Sequence, residues 1–428
     1  MVIPTRAGTK GILAAVVLAL VVFGAPPVRA GEPSLGASIE ALLATAHRMS
    51  PELAAATLDA EAAAARAEAA GSLPDPKFTL KYDEWPRSGA GYAPSLSRFG
   101  TMKYELSQEV PLGGKRDLKH EQALAEHRQS QTQAQTAALD LATRVKIVYA
   151  EYRQAQQAID QLGRIKAAIG RLGQSALARY SQNLGSQAAS IQADLERAEL
   201  DAELVRMTLE RRQAGARLNA LLNRPPGAPL AEPARLRPLP SPAKLDSAAL
   251  FERARQASPR LRGQHALIEA ADRGRDLADR AWYPDLEVGV GVVQKSSGVD
   301  SYEALVGVNI PLQWGLRRAQ QAEATATAQA ARLRLSQAER QLEADIQQAV
   351  FSLEAVVERE KILRGGLVPQ ANAALQSASR AYELGHGELS AVLDTERRVR
   401  TIQLDYLKLQ LEQQVRLAEL ERLIGGDL

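Results

Sequence analysis

The chain has 428 residues with 53 basic and 50 acidic side chains, a net charge of only +3. It contains no cysteine, which excludes disulfides, thiolate metal sites and a lipid-modified amino-terminal cysteine. Aromatic residues make up 4% while alanine runs abound, which suits long, closely packed helices better than a thick-cored globular enzyme.

Residues 1–30 read as an export signal. Arg6 and Lys10 form its basic start, Gly11 to Ala25 its apolar stretch, and Val28-Arg29-Ala30 a small-residue cleavage site. The apolar stretch is short for a spanning helix. The segment holds Arg6, Lys10 and Arg29 and no acid, so its removal leaves 50 basic against 50 acidic residues. A balanced mature chain gives no support to nucleic-acid binding.

One helix is predicted over 36–72, with Ile39, Leu42, Leu43 and Ala46 on one side, stopped by Pro74-Asp75-Pro76. The period then changes to two. Phe78, Leu80 and Tyr82 alternate with Thr79, Lys81 and Asp83; after a polar loop, Met102, Tyr104 and Leu106 alternate with Lys103, Glu105 and Ser107. This reads as a β-hairpin over 77–111. Long helices follow over 113–183 and 187–224. Val145, Val148, Tyr152, Ala155, Ile159, Leu162 and Ile169 keep 3–4 spacing in the first, and Ile191, Leu195, Ala198, Ala202, Val205 and Leu209 form the expected seam of the second. The proline-rich linker 225–247 cannot be helical.

The second half, 248–428, repeats this order. Ser50-Pro51-Glu52-Leu53 returns as Ser258-Pro259-Arg260-Leu261, Leu73-Pro74-Asp75 as Tyr283-Pro284-Asp285, and Val110-Pro111-Leu112 as Ile310-Pro311-Leu312. Tyr180, Leu184-Gly185, Asp194, Glu196 and Arg197 return as Tyr382, Leu384-Gly385, Asp394, Glu396 and Arg397. Self-similarity in this order marks a duplicated unit. A helix, a hairpin over 285–311 and long helices over 315–384 and 388–424 are expected, with Pro369 kinking or interrupting the first of the pair and Val399, Ile402, Tyr406, Leu409, Leu420 and Leu423 on the seam of the last.

Each alternating run is about ten residues, the length of a tilted strand crossing a bilayer. Four such strands cannot close on themselves, and an open sheet edge in hydrocarbon costs several kcal/mol per unpaired group. The strands must therefore be pooled between copies of the chain; two copies would give eight and three would give twelve. A soluble four-stranded sheet is the alternative, and it leaves the long helices and the export signal without a purpose.

Four runs carry a family resemblance: Leu73-Pro74-Asp75-Pro76, then Ser107-Gln108-Glu109-Val110-Pro111-Leu112-Gly113-Gly114-Lys115-Arg116, and Leu367-Val368-Pro369-Gln370-Ala371 followed by Ala381-Tyr382-Glu383-Leu384-Gly385. In this order and duplication the chain resembles the TolC family of outer-membrane efflux ducts, most of all its heavy-metal subgroup. The resemblance implies a mainly α fold with membrane β, in which a homotrimer builds a twelve-stranded outer-membrane barrel and a periplasmic α-helical barrel. It also implies a membrane-fusion adaptor and an RND-type inner-membrane pump as partners, lipid around the barrel, no cofactor and no catalysis. The implied function is a passive duct for heavy-metal cations; a drug-efflux or type I secretion duct would share the architecture.

The resemblance assigns roles at the helix tips as well. Leu184, Gly185, Ser186, Leu384, Gly385, His386 and Glu388 are expected to meet the adaptor. Asp394 matches a position contributing to an acidic ring at the entrance, with Asp194 as its repeat mate. Tyr180, Tyr382, Glu383, Arg397 and Arg398 lie close enough in sequence to supply gating contacts, although exposed heptad flanks would account for such charges equally well. Glycine at both tips suits a left-handed helix end.

Other motifs carry less. Gly113-Gly114-Lys115 lacks phosphate-loop spacing, and Arg116 stands where Ser or Thr would bind magnesium, so a turn is expected. His47, His120, His127, His265 and His386 form no tight ligand cluster; His120 and His127 share a face two turns apart as surface residues.

Overall fold

The computed structural model describes residues 35–83, 101–295 and 298–428. The expected export signal and most of the first hairpin's loop lie outside them.

The opening helix expected over 36–72 is two helices, α1 (Ile39–Met49) and α2 (Pro51–Ala70). Ser50 between them is extended at φ −70°, ψ 119°, and its hydroxyl accepts from the Leu53 N–H while Pro51 fills the first helical position. Proline has no N–H to continue a preceding helix but suits the start of a new one. The duplicated pair Ser258-Pro259 acts alike, dividing α5 (Ser247–Ala257) from α6 (Pro259–Arg280).

Strands β1 (Lys77–Asp83), β2 (Thr101–Val110), β3 (Asp285–Lys295) and β4 (Gly298–Asn309) form one antiparallel sheet in the order β1-β2-β3-β4. The central pairing joins the two repeats. Its register puts Phe78, Leu106, Val290 and Ala304 in one row and Leu80, Tyr104, Val292 and Tyr302 in the next. Because side chains alternate along each strand, these rows share one face with Val288, Val306 and Val308. That face is apolar and open: Phe78, Val290 and Val306 are 65%, 64% and 72% exposed. The opposite face is polar, with Ser107 donating to Glu287 at 2.8 Å and Lys103 3.3 Å from Glu303. Among the described residues, β1 and β4 each pair along one edge only.

Gly113 and Gly114, both at φ 73°, turn β2 into α3 (Lys115–Ser181). Lys115 reaches back to the second repeat, donating to Tyr283 O at 2.7 Å and Asp285 Oδ1 at 2.8 Å. At 1.5 Å per residue the 67 residues of α3 extend roughly 100 Å. Helix α4 (Gln187–Leu221) returns alongside it. In the second repeat α7 (Trp314–Ile362) leads through a π-helical turn at Leu363–Leu367 into α8 (Val368–Glu383), followed by α9 (Leu389–Ile424). Pro369 offers no N–H, and the backbone adapts without a break: Val368 N–H donates five residues back, to Leu363 O. No helix among the described residues is long and apolar enough to cross a membrane.

The expected seam of α3 is buried, with Val145, Val148, Tyr152, Ala155, Leu162 and Ile169 in its cores. The expected seam of α4 is not. Ile191, Leu195, Val205 and Leu209 are exposed, and α4 instead buries Ala193, Glu196, Leu200, Met207, Ala214 and Leu218. Both stripes keep helical spacing, and sequence period does not tell which one meets the chain's own neighbours.

Residues of the linker lie as a strap across the segment just before α1, Ala231 N donating to Leu35 O and Ala234 N to Ala37 O. Beneath the strap sits a buried ion cluster. Glu421 accepts from Lys146 at 2.7 Å and from Arg237 at 2.6 Å, and Lys146 also meets Asp427. Removing one member of such a cluster leaves a buried charge uncompensated. Glu421→Ala should cost about 3 kcal/mol in thermal or denaturant unfolding. Asp405→Ala, at an exposed ion pair with Lys408, should stay within about 1 kcal/mol.

Candidate helix-tip site

Both helical hairpins turn through one geometry. In the first, Asn183 adopts φ 57°; its N–H donates to Tyr180 O, and Leu184 N–H donates to Arg179 O. In the second, Gly385 adopts φ 80°; its N–H donates to Tyr382 O, and His386 N–H to Ala381 O. These are paired Schellman closures. The left-handed residue of the first tip is therefore Asn183, not Gly185. Asparagine tolerates that backbone through its short polar side chain. By position in the turn, Gly185 corresponds to Gly387, and each passes close to the helix end behind it. A Cβ at Gly185 would lie 3.3 Å from Arg179 Cβ, and one at Gly387 3.1 Å from Ala381 Cβ.

The turns thus correspond at one offset while the buried faces of α4 and α9 correspond at another. Ala193 and Glu196 are buried on α4, and Leu393 and Glu396 on α9. The N-caps are Ser186 and Glu388. Two residues separate these registers, so similar turns feed helices that are rotated differently with respect to their caps. Ser186 Oγ caps α4 by accepting from Ala188 N at 3.1 Å, whereas the Glu388 carboxylate accepts from Ser390 Oγ.

The expected tip residues Leu184 and Leu384 are 71% and 73% exposed, and Gly185, Ser186, Gly385, His386 and Glu388 lie around them. A groove of about 640 Å³ between the two tips is lined in part by Leu184, Gly185, Ser186, Gly385 and Glu388. Arg179 ties the tips together. Its guanidinium lies 5.0 Å from the Tyr382 ring centre and donates to Tyr382 O at 2.9 Å and Glu383 O at 3.0 Å, capping α8 with a cation. The two tyrosines differ: Tyr382 is buried in the core, and Tyr180 is exposed. Glu383 enters through its backbone carbonyl, and Arg398 is exposed.

Asp194 and Asp394 are both exposed, each with an arginine one turn on: Arg197 at 3.5 Å and Arg397 at 3.7 Å. Arg397 is also held from behind. Its Nε donates to Glu196 Oε2 at 2.6 Å, and Arg400 Nη1 donates to Glu196 Oε1 at 2.8 Å. Glu196 is fully buried and links α4 to α9 through both arginines. Hydrogen bonding to Glu196 raises the Arg397 pKa above its ordinary value. Glu396 lies in the same seam, 5% exposed, with neither carboxylate oxygen accepting a hydrogen bond. Desolvation pushes its pKa up to about 7 against the pull of Arg400.

The sequence pattern does not single out Arg179, Arg400 or the paired burial of Glu196 and Glu396. A signal was present nonetheless, since Glu196 stands between Ala193 and Leu200 at a 3–4 spacing where an apolar residue is expected. Nothing local in the sequence marks Arg179, because its partners lie two hundred residues away.

His120 and His127 both brace α2 on α3, their Nδ1 atoms 2.7 Å from Ala67 O and 2.9 Å from Ala60 O. Among the described residues, no group of three or more His, Cys, Asp or Glu could hold a metal ion.

A family model described as outer membrane efflux protein matches residues 42–224 and 250–426. No curated protein sequence matches. Among solved structures, the chain is similar to CusC at 17% identity and a TM-score of 0.78, covering 91% of this chain and 92% of that one. VceC of Vibrio cholerae gives 19% identity, a TM-score of 0.76 and coverage of 91% and 96%. The open-state outer-membrane channel MtrE of Neisseria gonorrhoeae gives 20%, 0.75, and coverage of 91% and 89%.

Proposed function

The chain belongs to the outer membrane efflux protein family, and from that premise we propose that three copies close into a passive duct serving a tripartite export assembly. The observation that carries this reading is a matched set of open edges at two levels of one chain. The sheet presents an apolar face and, among the described residues, leaves β1 and β4 each unpaired along one edge. Hydrocarbon cannot satisfy those backbone groups, so β4 of one copy must pair with β1 of the next, giving twelve strands from three copies.

The helices below repeat the same logic. Core residues of α3 pack against both α4 and α9, α4 and α9 also meet directly through Glu196, and α9 packs against α8. Of these helices α4 carries the uncovered stripe Ile191, Leu195, Val205 and Leu209, which marks a face left for another copy. In the closed duct that stripe meets α8 of the neighbouring copy. The apolar face of the sheet then contacts lipid, and its polar face lines the lumen. The groove between the tips receives the adaptor, and the exposed carboxylates of Asp394 and Asp194 form the acidic ring. Tyr180, Tyr382, Glu383, Arg397 and Arg398 supply the gating contacts. Energy comes from the RND-type inner-membrane pump; the duct itself makes and breaks no bonds.

For cargo we favour heavy-metal cations, on the motif runs that resemble that subgroup and the exposed carboxylates of Asp394 and Asp194. A drug-efflux or type I secretion duct is the second reading, because the sheet and helices would serve it equally. Deletion of the gene followed by growth across a panel of divalent metals and drugs decides between them. Sensitivity to cobalt, zinc, cadmium, copper or silver is expected; sensitivity confined to organic compounds would overturn the metal assignment and keep the duct.

Val205→Glu places a charge in the stripe that the neighbour covers. It should abolish the trimer on native gels while leaving far-ultraviolet helicity unchanged, and an intact trimer would remove α4 from the interface. Asp394→Ala should lower cation selectivity and divalent block in planar bilayers, and unchanged selectivity would end the ring assignment.

A further inference from the structure

The seam between α4 and α9, just behind the tips, holds a buried carboxyl that accepts no hydrogen bond. Glu196 is anchored by two arginines. Glu396, one turn from Arg400 on its own helix, lies 3.9 Å from that arginine and accepts no hydrogen bond. The charged groups acting on it are Arg400 and Arg397 of α9 and Glu196 and Glu203 of α4. Glu199 faces Arg397 at 3.7 Å. Around them α3 and α8 contribute apolar residues to the same core, including Ile165, Ile169, Leu172 and Leu375. A buried carboxylate without hydrogen bonds is costly, and proton uptake removes that cost.

We propose that Glu396 is a proton-operated catch on the α4–α9 seam, and that the periplasmic entrance loosens when this carboxyl ionises. Protonated Glu396 leaves Arg400 to Glu196, so the bond from α9 across to α4 is intact. Ionised Glu396 competes for the same guanidinium from within α9, drawing it away from Glu196 and weakening the tie that Arg400 makes from α9 to α4. Two buried carboxylates then also repel each other across the seam. The catch is a two-state element set by where one proton sits.

The direction of the pH response follows from the fold. Because Glu396 holds its proton up to about pH 7 in the folded chain and its ordinary value is 4.5, the native state binds that proton more tightly than the unfolded state. Stability from this group is full below the ordinary value and is lost as pH rises through about 7. Opening should therefore become easier over the same window.

The catch rests on the duct reading, and two readouts keep the two apart. The first is open probability in planar bilayers from about pH 5.5 to about 8.5. Wild type should rise several-fold with a midpoint near neutrality, while Glu396→Gln should stay flat at the low-pH level. The second is the distance between nitroxides at Gln192→Cys and Ala391→Cys, on exposed positions of α4 and α9. It should lengthen or broaden with rising pH in detergent-solubilised protein, and not in the Glu396→Gln background. Glu396→Leu, which fills the same space without a charge, should behave like Glu396→Gln and serves if the amide variant does not assemble. A wild-type pH response retained in either variant, or a seam distance in wild type that ignores pH, overturns the catch. Absence of any conductance with a pH-dependent seam distance would overturn the duct and keep the catch.

Discussion

A peptide group facing hydrocarbon must find its hydrogen-bond partner in protein, and this chain does not supply all of those partners itself. Among the described residues, four strands satisfy one another in sequence and leave the outer edges of β1 and β4 open. The alternation of Phe78, Leu80, Leu106, Val290 and Val306 with polar neighbours gives the sheet one lipid-compatible face. Sheet and edges together make sense only in a closed cylinder. The protomer is incomplete by construction.

The same incompleteness runs into the helical region, where it takes a different form. A sheet edge is left open by missing hydrogen bonds, whereas α4 is left open by an uncovered apolar stripe. Lys115 couples the two regions by bonding the first repeat's strand-to-helix turn to Tyr283 and Asp285 of the second. At the far end, Arg179 caps α8, and Glu196 holds Arg397 and Arg400. These contacts join the two repeats of one chain near the end where the hairpins turn. The tips are therefore a shared feature of both repeats, and a change in one hairpin is felt by the other through a few charged groups. The strap over residues 225–242 does comparable work at mid-length, where Arg237 and Lys146 converge on Glu421.

Much of this architecture is legible along the chain. Period-two runs mark all four strands, and the duplicated Ser-Pro and Tyr…Leu-Gly markers place the repeats in order. The helix breaks at Ser50-Pro51 and Ser258-Pro259 were visible too, yet continuous alanine-rich patterning on both sides reads as one helix. The left-handed position at Asn183 is harder, because a nearby glycine at 185 is the stronger local signal and the decisive fact is which carbonyl Leu184 reaches.

By itself the sequence determined the strands, the long helices, the duplication and the need for more than one copy. Strands and helices follow from periods of two and near 3.6, the duplication from markers repeated in order, and the need for more than one copy from four strands being too few to close in hydrocarbon. Only the tertiary structure decided which of two equally periodic stripes α4 buries, which arginine caps a helix from the other repeat, and that Glu196 and Glu396 share a desolvated seam. Those outcomes depend on how far one helix is rotated against another, a quantity fixed by packing between residues some two hundred positions apart.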